Sequence, residues 1–236
     1  MPHAISSPVQ IRHHVKASAV IVAGGSGTRM GAGIPKQFLP VAGRPLLFYT
    51  LEKFSGIDGE IILVLPDTHI TYWNDLCQTH SFDVPHRVVS GGSSRSHSVF
   101  SGLKALKPCR VVAIHDAVRP LVSPSLIHQL LQVATEKGNA IPVVPARDSM
   151  RQVSRDHSRA VNREEFVLVQ TPQCFNYQDI MRLYQATGDL PFSDDASLAE
   201  AMGVSINLVP GETQNIKVTF REDLFLAERI LIASKP

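Results

Sequence analysis

Cysteine is scarce in this sequence. There are three, Cys77, Cys109 and Cys174, an odd number at spacings that fit no zinc pattern. A disulfide framework or a cysteine-bound metal is therefore not expected, and reduced thiols in a cytoplasmic protein are. Long apolar runs are also missing. No stretch approaches the ~18–20 residues of a membrane span, so no membrane association is expected. The opening MPHAISSPVQIRHHVKA lacks the apolar segment of a secretory leader. Residues 1–17 are expected to form a flexible basic arm, with His13 and His14 belonging to it rather than to a metal site. Neither sign of charge dominates: 23 Lys and Arg stand against 21 Asp and Glu, a net charge of +2. No basic stripe with interleaved aromatics occurs, so nucleic acid is not an expected partner. Internal repeats and low-complexity segments are absent as well.

What is present is the rhythm of a layered α/β domain. The 236 residues are 44% hydrophobic, enough for one large core over residues 18–236. Ser18–Ala23, Ile61–Leu65, Arg87–Ser90, Val111–Ile114 and Ala140–Val144 read as short buried strands. Helical stretches fall between them: Pro45–Phe54 with Pro at its start, Arg95–Leu106, and Ser125–Lys137 stopped by Gly138. Continuous Val/Ile runs alternating with helices predict a Rossmann-like, mostly parallel twisted sheet covered on both faces. After Val144 the pattern changes. Ser149–Val153 and Ala160–Asn162 are expected to pair across a polar turn, Ser154–Arg159, as a protruding β-hairpin arm over about residues 147–166. Val167–Gln170 reads as a return strand, Tyr177–Thr187 and Ser193–Met202 as helices, Ile206–Val209 and Ile216–Thr219 as late strands, and Arg221–Ser234 as a closing helix. Asp194 and Asp195 look like helix-start acids. Tyr72 and Trp73 look like packing residues.

Ligands in such folds sit beyond the carboxyl ends of the strands. The first strand runs directly into Gly24-Gly25-Ser26-Gly27-Thr28-Arg29-Met30, and Pro35-Lys36-Gln37 follows in the same connection. Glycines let backbone N–H groups close on an anion, and Arg29 and Lys36 add two cations. This combination suits a triphosphate attacked at its α-phosphorus. It is not a dinucleotide fingerprint, because Met30 stands where Gly or Ala is required. It is not a Walker loop either, because Lys36 follows Pro35 and precedes Gln37. Further along, Asp116 and Arg119 follow the strand Val111–Ile114, placed for a phosphorylated ligand. Asp116 is a candidate ligand for Mg²⁺ or another divalent cation, directly or through water.

The string AGGSGTRM (Ala23–Met30) with PKQFL (Pro35–Leu39) resembles the signature of the 2-C-methyl-D-erythritol 4-phosphate cytidylyltransferase family of the non-mevalonate isoprenoid pathway. The resemblance continues through GGSSRSHS (Gly91–Ser98), HDAVRP (His115–Pro120), ARDSM (Ala146–Met150), VNR (Val161–Arg163), QTPQ (Gln170–Gln173), SDDAS (Ser193–Ser197) and NIKVT (Asn215–Thr219). It therefore spans nearly the whole chain from Ser18 to the last helix.

The resemblance implies CTP contacts at Ala23, Gly24, Gly25, Gly27 and Thr28, with Gly92, Ser93 and Ser98 reading the cytosine and Asp116 and Ala117 completing the nucleotide site. It implies that the sugar-alcohol phosphate is held by Asp116, Arg119, Ser149, Thr171, Arg163 and Lys217. Arg29, Lys36, Arg163 and Lys217 are the implied catalytic residues. The arms are implied to interlock in a homodimer, so that Arg163 reaches the neighbouring subunit's substrate. Close relatives that use ribitol 5-phosphate share much of this pattern, and that acceptor remains an alternative. A nicotinamide-dependent oxidoreductase is a more distant one, disfavoured by the failed glycine fingerprint.

Overall fold

The structure, a computed structural model, describes residues 16–23, 34–187 and 192–234. Strand β1 is Ala17–Val22, followed by a small hairpin of β2 (Pro40–Val41) and β3 (Arg44–Pro45) and helix α1 (Leu46–Lys53). Next come β4 (Ile61–Leu65), α2 (Ile70–Thr79), β5 (Arg87–Ser90), α3 (Arg95–Ala105), β6 (Val111–Asp116), α4 (Pro124–Lys137) and β7 (Asn139–Pro145). The chain continues through β8 (Met150–Ser154), β9 (His157–Val161), β10 (Val167–Val169), β11 (Gln173–Asn176), α5 (Tyr177–Thr187), α6 (Asp195–Ala201), β12 (Leu208–Pro210) and α7 (Arg221–Ala233).

Parallel pairing joins β5, β4, β1 and β6 in that order, and β12 runs parallel to β7. Between these two groups lies β11, antiparallel to both β6 and β7. β10 continues along β7, so β10 and β11 form one interrupted strand beside it. Residues 170–173 there face only residues 141–142 of β7, because Val169 pairs with Val143 and Cys174 with Ala140. The surplus makes a bulge at Gln170–Pro172, which pushes Thr171 toward the end of β6.

Successive residues of the central strands face opposite layers, as period-2 geometry requires. Ala19, Ile21, Leu63, Leu65 and Ala113 pack on one side with Leu47, Phe48 and Leu51 of α1, Trp73 of α2 and Leu130 of α4. Val20, Val22, Ile62, Val64 and Ile114 pack on the other with Val99 and Leu103 of α3, Ile180 and Tyr184 of α5 and Leu198 of α6. Two filled layers explain why these strands read as unbroken apolar runs. Gly138, at φ +88°, closes α4 in the left-handed region.

Several expectations need correction. The hairpin β8–β9 forms its own two-stranded sheet of mostly exposed residues, but its turn is tighter than expected. Ser154 pairs with His157, leaving only Arg155–Asp156 between the strands. Polar residues on an exposed ribbon carry no burial signal, so Ser154–Arg159 resembled a loop. Ile216–Thr219 is not a strand. Val218 N–H donates to Val118 O at 2.9 Å, but no ladder forms, and Val218 is buried against Val118 and α7 instead. Helix α2, strand β11 and the β2–β3 hairpin have no counterpart in the sequence reading. Trp73 is fully buried, as a packing residue should be, and its indole N–H donates to His86 Nε2 at 3.0 Å. Cys77, Cys109 and Cys174 are unbridged.

Candidate active site

Strand β6 extends two residues beyond the apolar run, so His115 and Asp116 belong to its carboxyl end. Asp116 lies in a cavity of about 210 Å³, lined also by Arg95, Arg119, Gln170, Thr171, Gln173, Asp194 and Lys217. Lys217 Nζ is 2.9 Å from Asp116 Oδ2, Arg119 Nε is 3.6 Å from the same oxygen, and Arg95 Nε is 3.6 Å from Oδ1. Burial opposes ionisation of this carboxyl. Arg95, Lys217 and Arg119 outweigh burial and hold its pKa well below the usual carboxylate range.

A buried hydrogen-bond chain fixes the backbone behind Asp116. Asp116 N–H donates to Thr171 Oγ1 at 3.1 Å, and Thr171 Oγ1 lies 3.0 Å from His115 Nδ1. His115 Nε2 lies 3.1 Å from the carbonyl of Arg119. A carbonyl can only accept, so Nε2 carries the proton, Nδ1 accepts, and the Thr171 hydroxyl donates to it. The ring is fully buried, and burial pushes its pKa down to about 4, so it stays neutral. His115 is thus a strut, committed through both ring nitrogens.

The cations come from distant parts of the chain. Lys217 lies on the extended segment before α7. Lys36, on a 3-10 turn over Lys36–Phe38, donates from Nζ to Val218 O at 2.9 Å, which brings it to the residue next to Lys217. Gln37 Nε2 donates to Ala23 O at 3.0 Å and ties that turn to the end of β1. Arg119 donates from Nη1 to Asn215 O at 2.8 Å, while its buried Nε has no hydrogen-bond partner among the described residues. A buried donor left in that state beside a cavity suits an incoming anion.

Gly91 and Gly92 follow β5. A methyl group on Gly91 would come within 2.8 Å of Ser98 Oγ, and one on Gly92 within 2.4 Å of His97 Cβ, so glycine is needed for this close approach. Ser98 accepts from Gly92 N–H at 3.2 Å and donates to Ser94 O at 2.9 Å. Ser93 Oγ pairs with His97 Nδ1 at 2.9 Å. Ala117 is buried, with its N–H on Val22 O at 3.0 Å. Ala23 is also buried and donates to Val64 O at 2.9 Å. Gly24, Gly25, Gly27, Thr28 and Arg29 lie outside the described residues.

Asp116, Arg119, Thr171 and Lys217 therefore meet around one cavity, and Lys36 is bonded to the residue after Lys217. Ser149 and Arg163 do not. Both are exposed, and Arg163 donates from Nη1 to Arg147 O at 2.8 Å at the foot of the arm. It lines a separate hollow of about 420 Å³ with Pro145, Arg147, Glu164 and Phe166.

Sequence reasoning missed Arg95, Gln170, Gln173 and Asn215, and read Asp195 as the helix-start acid it is without its pairing to Arg95. Arg95 opens α3, and Asp195 opens α6 and is fully buried. Gln173 donates to Asp194 Oδ2 at 2.7 Å and accepts from Ala196 N–H at 2.9 Å, which fixes the start of α6 against β11. The doubled acid was the available signal. Asp194 alone caps α6, accepting from Ser197 N–H at 2.9 Å, so Asp195 needed another purpose.

The sequence profile of the 2-C-methyl-D-erythritol 4-phosphate cytidylyltransferase family matches residues 17–233. A relative of that name from Bacteroides fragilis is 44% identical over 216 residues, covering 91% of this chain and 99% of the relative. One from Porphyromonas gingivalis is 43% identical over 217 residues, covering 92% and 98%. Among solved structures, 4-diphosphocytidyl-2C-methyl-D-erythritol synthase from Anaerococcus prevotii superposes with a TM-score of 0.80 at 30% identity, covering 93% of this chain and 97% of that one. The 2-C-methyl-D-erythritol 4-phosphate cytidylyltransferase from Thermus thermophilus gives 0.76 at 33% identity, with coverages of 90% and 98%.

Proposed function

Because this chain belongs to the 2-C-methyl-D-erythritol 4-phosphate cytidylyltransferase family, we propose that it transfers CMP from CTP to 2-C-methyl-D-erythritol 4-phosphate, giving 4-diphosphocytidyl-2-C-methyl-D-erythritol and pyrophosphate. The observation that carries this reading is the meeting of Asp116, Arg119, Thr171 and Lys217 around one cavity, with Lys36 anchored to the residue after Lys217.

The acceptor is a phosphate monoester, largely ionised at neutral pH because its second pKa is about 6. It needs no strong general base. The obstacle is repulsion: two unit charges 4 Å apart cost about 4 kcal/mol at an effective dielectric of about 20, and both reactants carry several. Lys36 and Arg29 offset the charge that grows on the α-phosphoryl group. Lys217 and Arg119 hold the acceptor phosphate, and one of its oxygens attacks in line. Pyrophosphate leaves, and no covalent enzyme intermediate forms.

Among the described residues, no three His, Cys, Asp or Glu side chains gather as a metal cage. One carboxylate in a phosphate-binding cavity still fits Mg²⁺, which commonly takes one or two carboxylates with substrate phosphates and waters. Asp116 would hold it, and when bound it would neutralise triphosphate charge.

The hairpin arm, over about residues 147–166, reaches a second copy of the chain in this reading, and Arg163 acts in that copy's site. Support comes from Arg163 lining a hollow other than the Asp116 cavity, and from the exposed apolar run Phe166, Val167, Leu168 and Val169 beside the arm. The enzyme is a cytoplasmic homodimer with one nucleotidyltransferase domain per chain, residues 18–236. No helix among the described residues is long and apolar enough to cross a membrane.

The test is a paired assay of pyrophosphate release from CTP with 2-C-methyl-D-erythritol 4-phosphate or ribitol 5-phosphate. Turnover with the first at a far higher kcat/KM is expected. Preference for ribitol 5-phosphate would reassign the acceptor, and no release with either would end the reading.

A further inference from the structure

Lys217 is carried by a segment that no sheet ladder holds, yet its ammonium sits within 2.9 Å of Asp116 Oδ2. A lysine has four rotatable bonds and an extended segment has its own backbone freedom, so something nearby must fix the mounting. Asn215, two residues earlier, is fully buried. Its Nδ2 donates to Thr171 O at 2.9 Å, locking the segment to the bulge that also orients Asp116. Its carbonyl accepts from Arg119 Nη1 at 2.8 Å and from Gln170 Nε2 at 3.2 Å. Gln170 Nε2 also donates to Glu212 O at 2.8 Å, and Gln170 Oε1 accepts from Glu212 N–H at 3.2 Å, so it grips both ends of the turn before Asn215. Past Lys217, Val218 N–H donates to Val118 O, and Val218 O receives Lys36.

We infer that Asn215, backed by Gln170, is a positioning residue that sets Lys217 and Lys36 at a fixed spacing against Asp116. Neither amide touches the reacting atoms in this account. Both act through the segment 215–218, on which one cation is carried and the other is anchored. The inference rests on the cytidylyltransferase reading for its kinetic consequence, but not for its geometric one. A displacement of 1 Å in such a site costs on the order of 10²-fold in rate.

The experiment has two arms. In the kinetic arm, Asn215→Ala and Gln170→Ala are each made alone and in a Lys217→Ala background, with thermal melting as a folding control. Each single variant is expected to lose on the order of 10- to 10²-fold in kcat, and a clearly smaller factor once Lys217 is gone, because only the share that runs through Lys36 then remains. Losses that multiply in full would show a merely structural role and overturn the inference. Gln170→Ala keeps the test decisive if Asn215→Ala does not fold. In the structural arm, a crystal structure of Asn215→Asp, which keeps the shape but cannot donate to Thr171 O, is expected to show Lys217 Nζ more than about 4 Å from Asp116. An undisturbed contact would overturn the inference even if the wild type proved inactive on CTP. An inactive wild type with a displaced Lys217 would instead sink the functional reading and leave the positioning role standing.

Discussion

Arg95 grips Asp195 through both terminal nitrogens, Nη2 to Oδ2 at 2.8 Å and Nη1 to Oδ1 at 3.2 Å, although exactly one hundred positions separate them. Tyr184 OH adds a 2.5 Å hydrogen bond to Oδ1. With both Nη groups bonded to Asp195, Nε of Arg95 lies 3.6 Å from Asp116 Oδ1. The pair thus joins the helix after the Gly91–Gly92 turn to the helix behind β11, while limiting how strongly Arg95 occupies the Asp116 carboxylate.

Breaking a buried ion pair from one side leaves the other charge without its partner, and costs about 3–5 kcal/mol. Asp195→Asn should destabilise the protein by about 3 kcal/mol, the lower end of that range, because Arg95 keeps Asp116 as a second partner. Urea unfolding measures it. A change below about 1 kcal/mol would mean that the pair contributes little.

Lys36→Ala should lower kcat by about 10²–10³, as expected for loss of one charge-stabilising donor. The hydrogen bond to Val218 O is worth only about 1 kcal/mol, and the fold should survive its loss. Steady-state kinetics beside a melting curve separate the two effects, and near-normal kcat would remove Lys36 from the catalytic set.

Arg163→Ala and Lys36→Ala subunits, each nearly inactive alone, should complement when mixed and re-associated. A heterodimer keeps one site with both groups, so activity should return to about a quarter of wild type after random exchange. Verified heterodimers without recovery would show that Arg163 does not act across subunits.

His115 should make stability fall on acidification. Its folded pKa, about 4, lies below the ordinary value of about 6.5, so between those values the unfolded chain takes up the proton first. Stability is full above about pH 6.5 and drops as pH falls toward 4, by about 3 kcal/mol at most. Denaturant titrations of wild type and His115→Gln across this range should show a shallower slope for the variant.

Gly102 of α3 packs against β1 and β4 so closely that an added methyl group would come within 2.4 Å of Val20 Cγ1 and 2.9 Å of Val64 Cγ2. Alanine would gain about 1 kcal/mol of helix propensity but overpack the layer by about 1–3 kcal/mol. A net loss of melting temperature is expected for Gly102→Ala, and a gain would show that the helix can lift freely.

Legibility in the sequence followed burial. Ile61–Leu65 is buried on both faces and was readable to the residue. Gln173–Asn176 lies between two strands at the centre of the sheet, but its Gln and Asn carry no apolar signal, because Gln173 serves Asp194 and Ala196. In α2 only Trp73 is buried, so its periodicity is faint. Val218 looked like part of a strand because it is buried, but it packs on α7 without a ladder. Motif residues such as Asp116 and Lys217 stood out by resemblance, whereas Asn215 and Asp195 gain their meaning only from partners 44 and 100 positions away.

The placement of β11 has a consequence for biosynthesis. A growing polypeptide that has left the ribosome only as far as Pro145 has made β6 and β7 but not the strand that separates them. The edges that will receive it then offer unpaired backbone to whatever is near, until residues 173–176 emerge and insert. An interval in which this enzyme is prone to sticking to itself is therefore set by translation speed through the hairpin and the stretch that follows it.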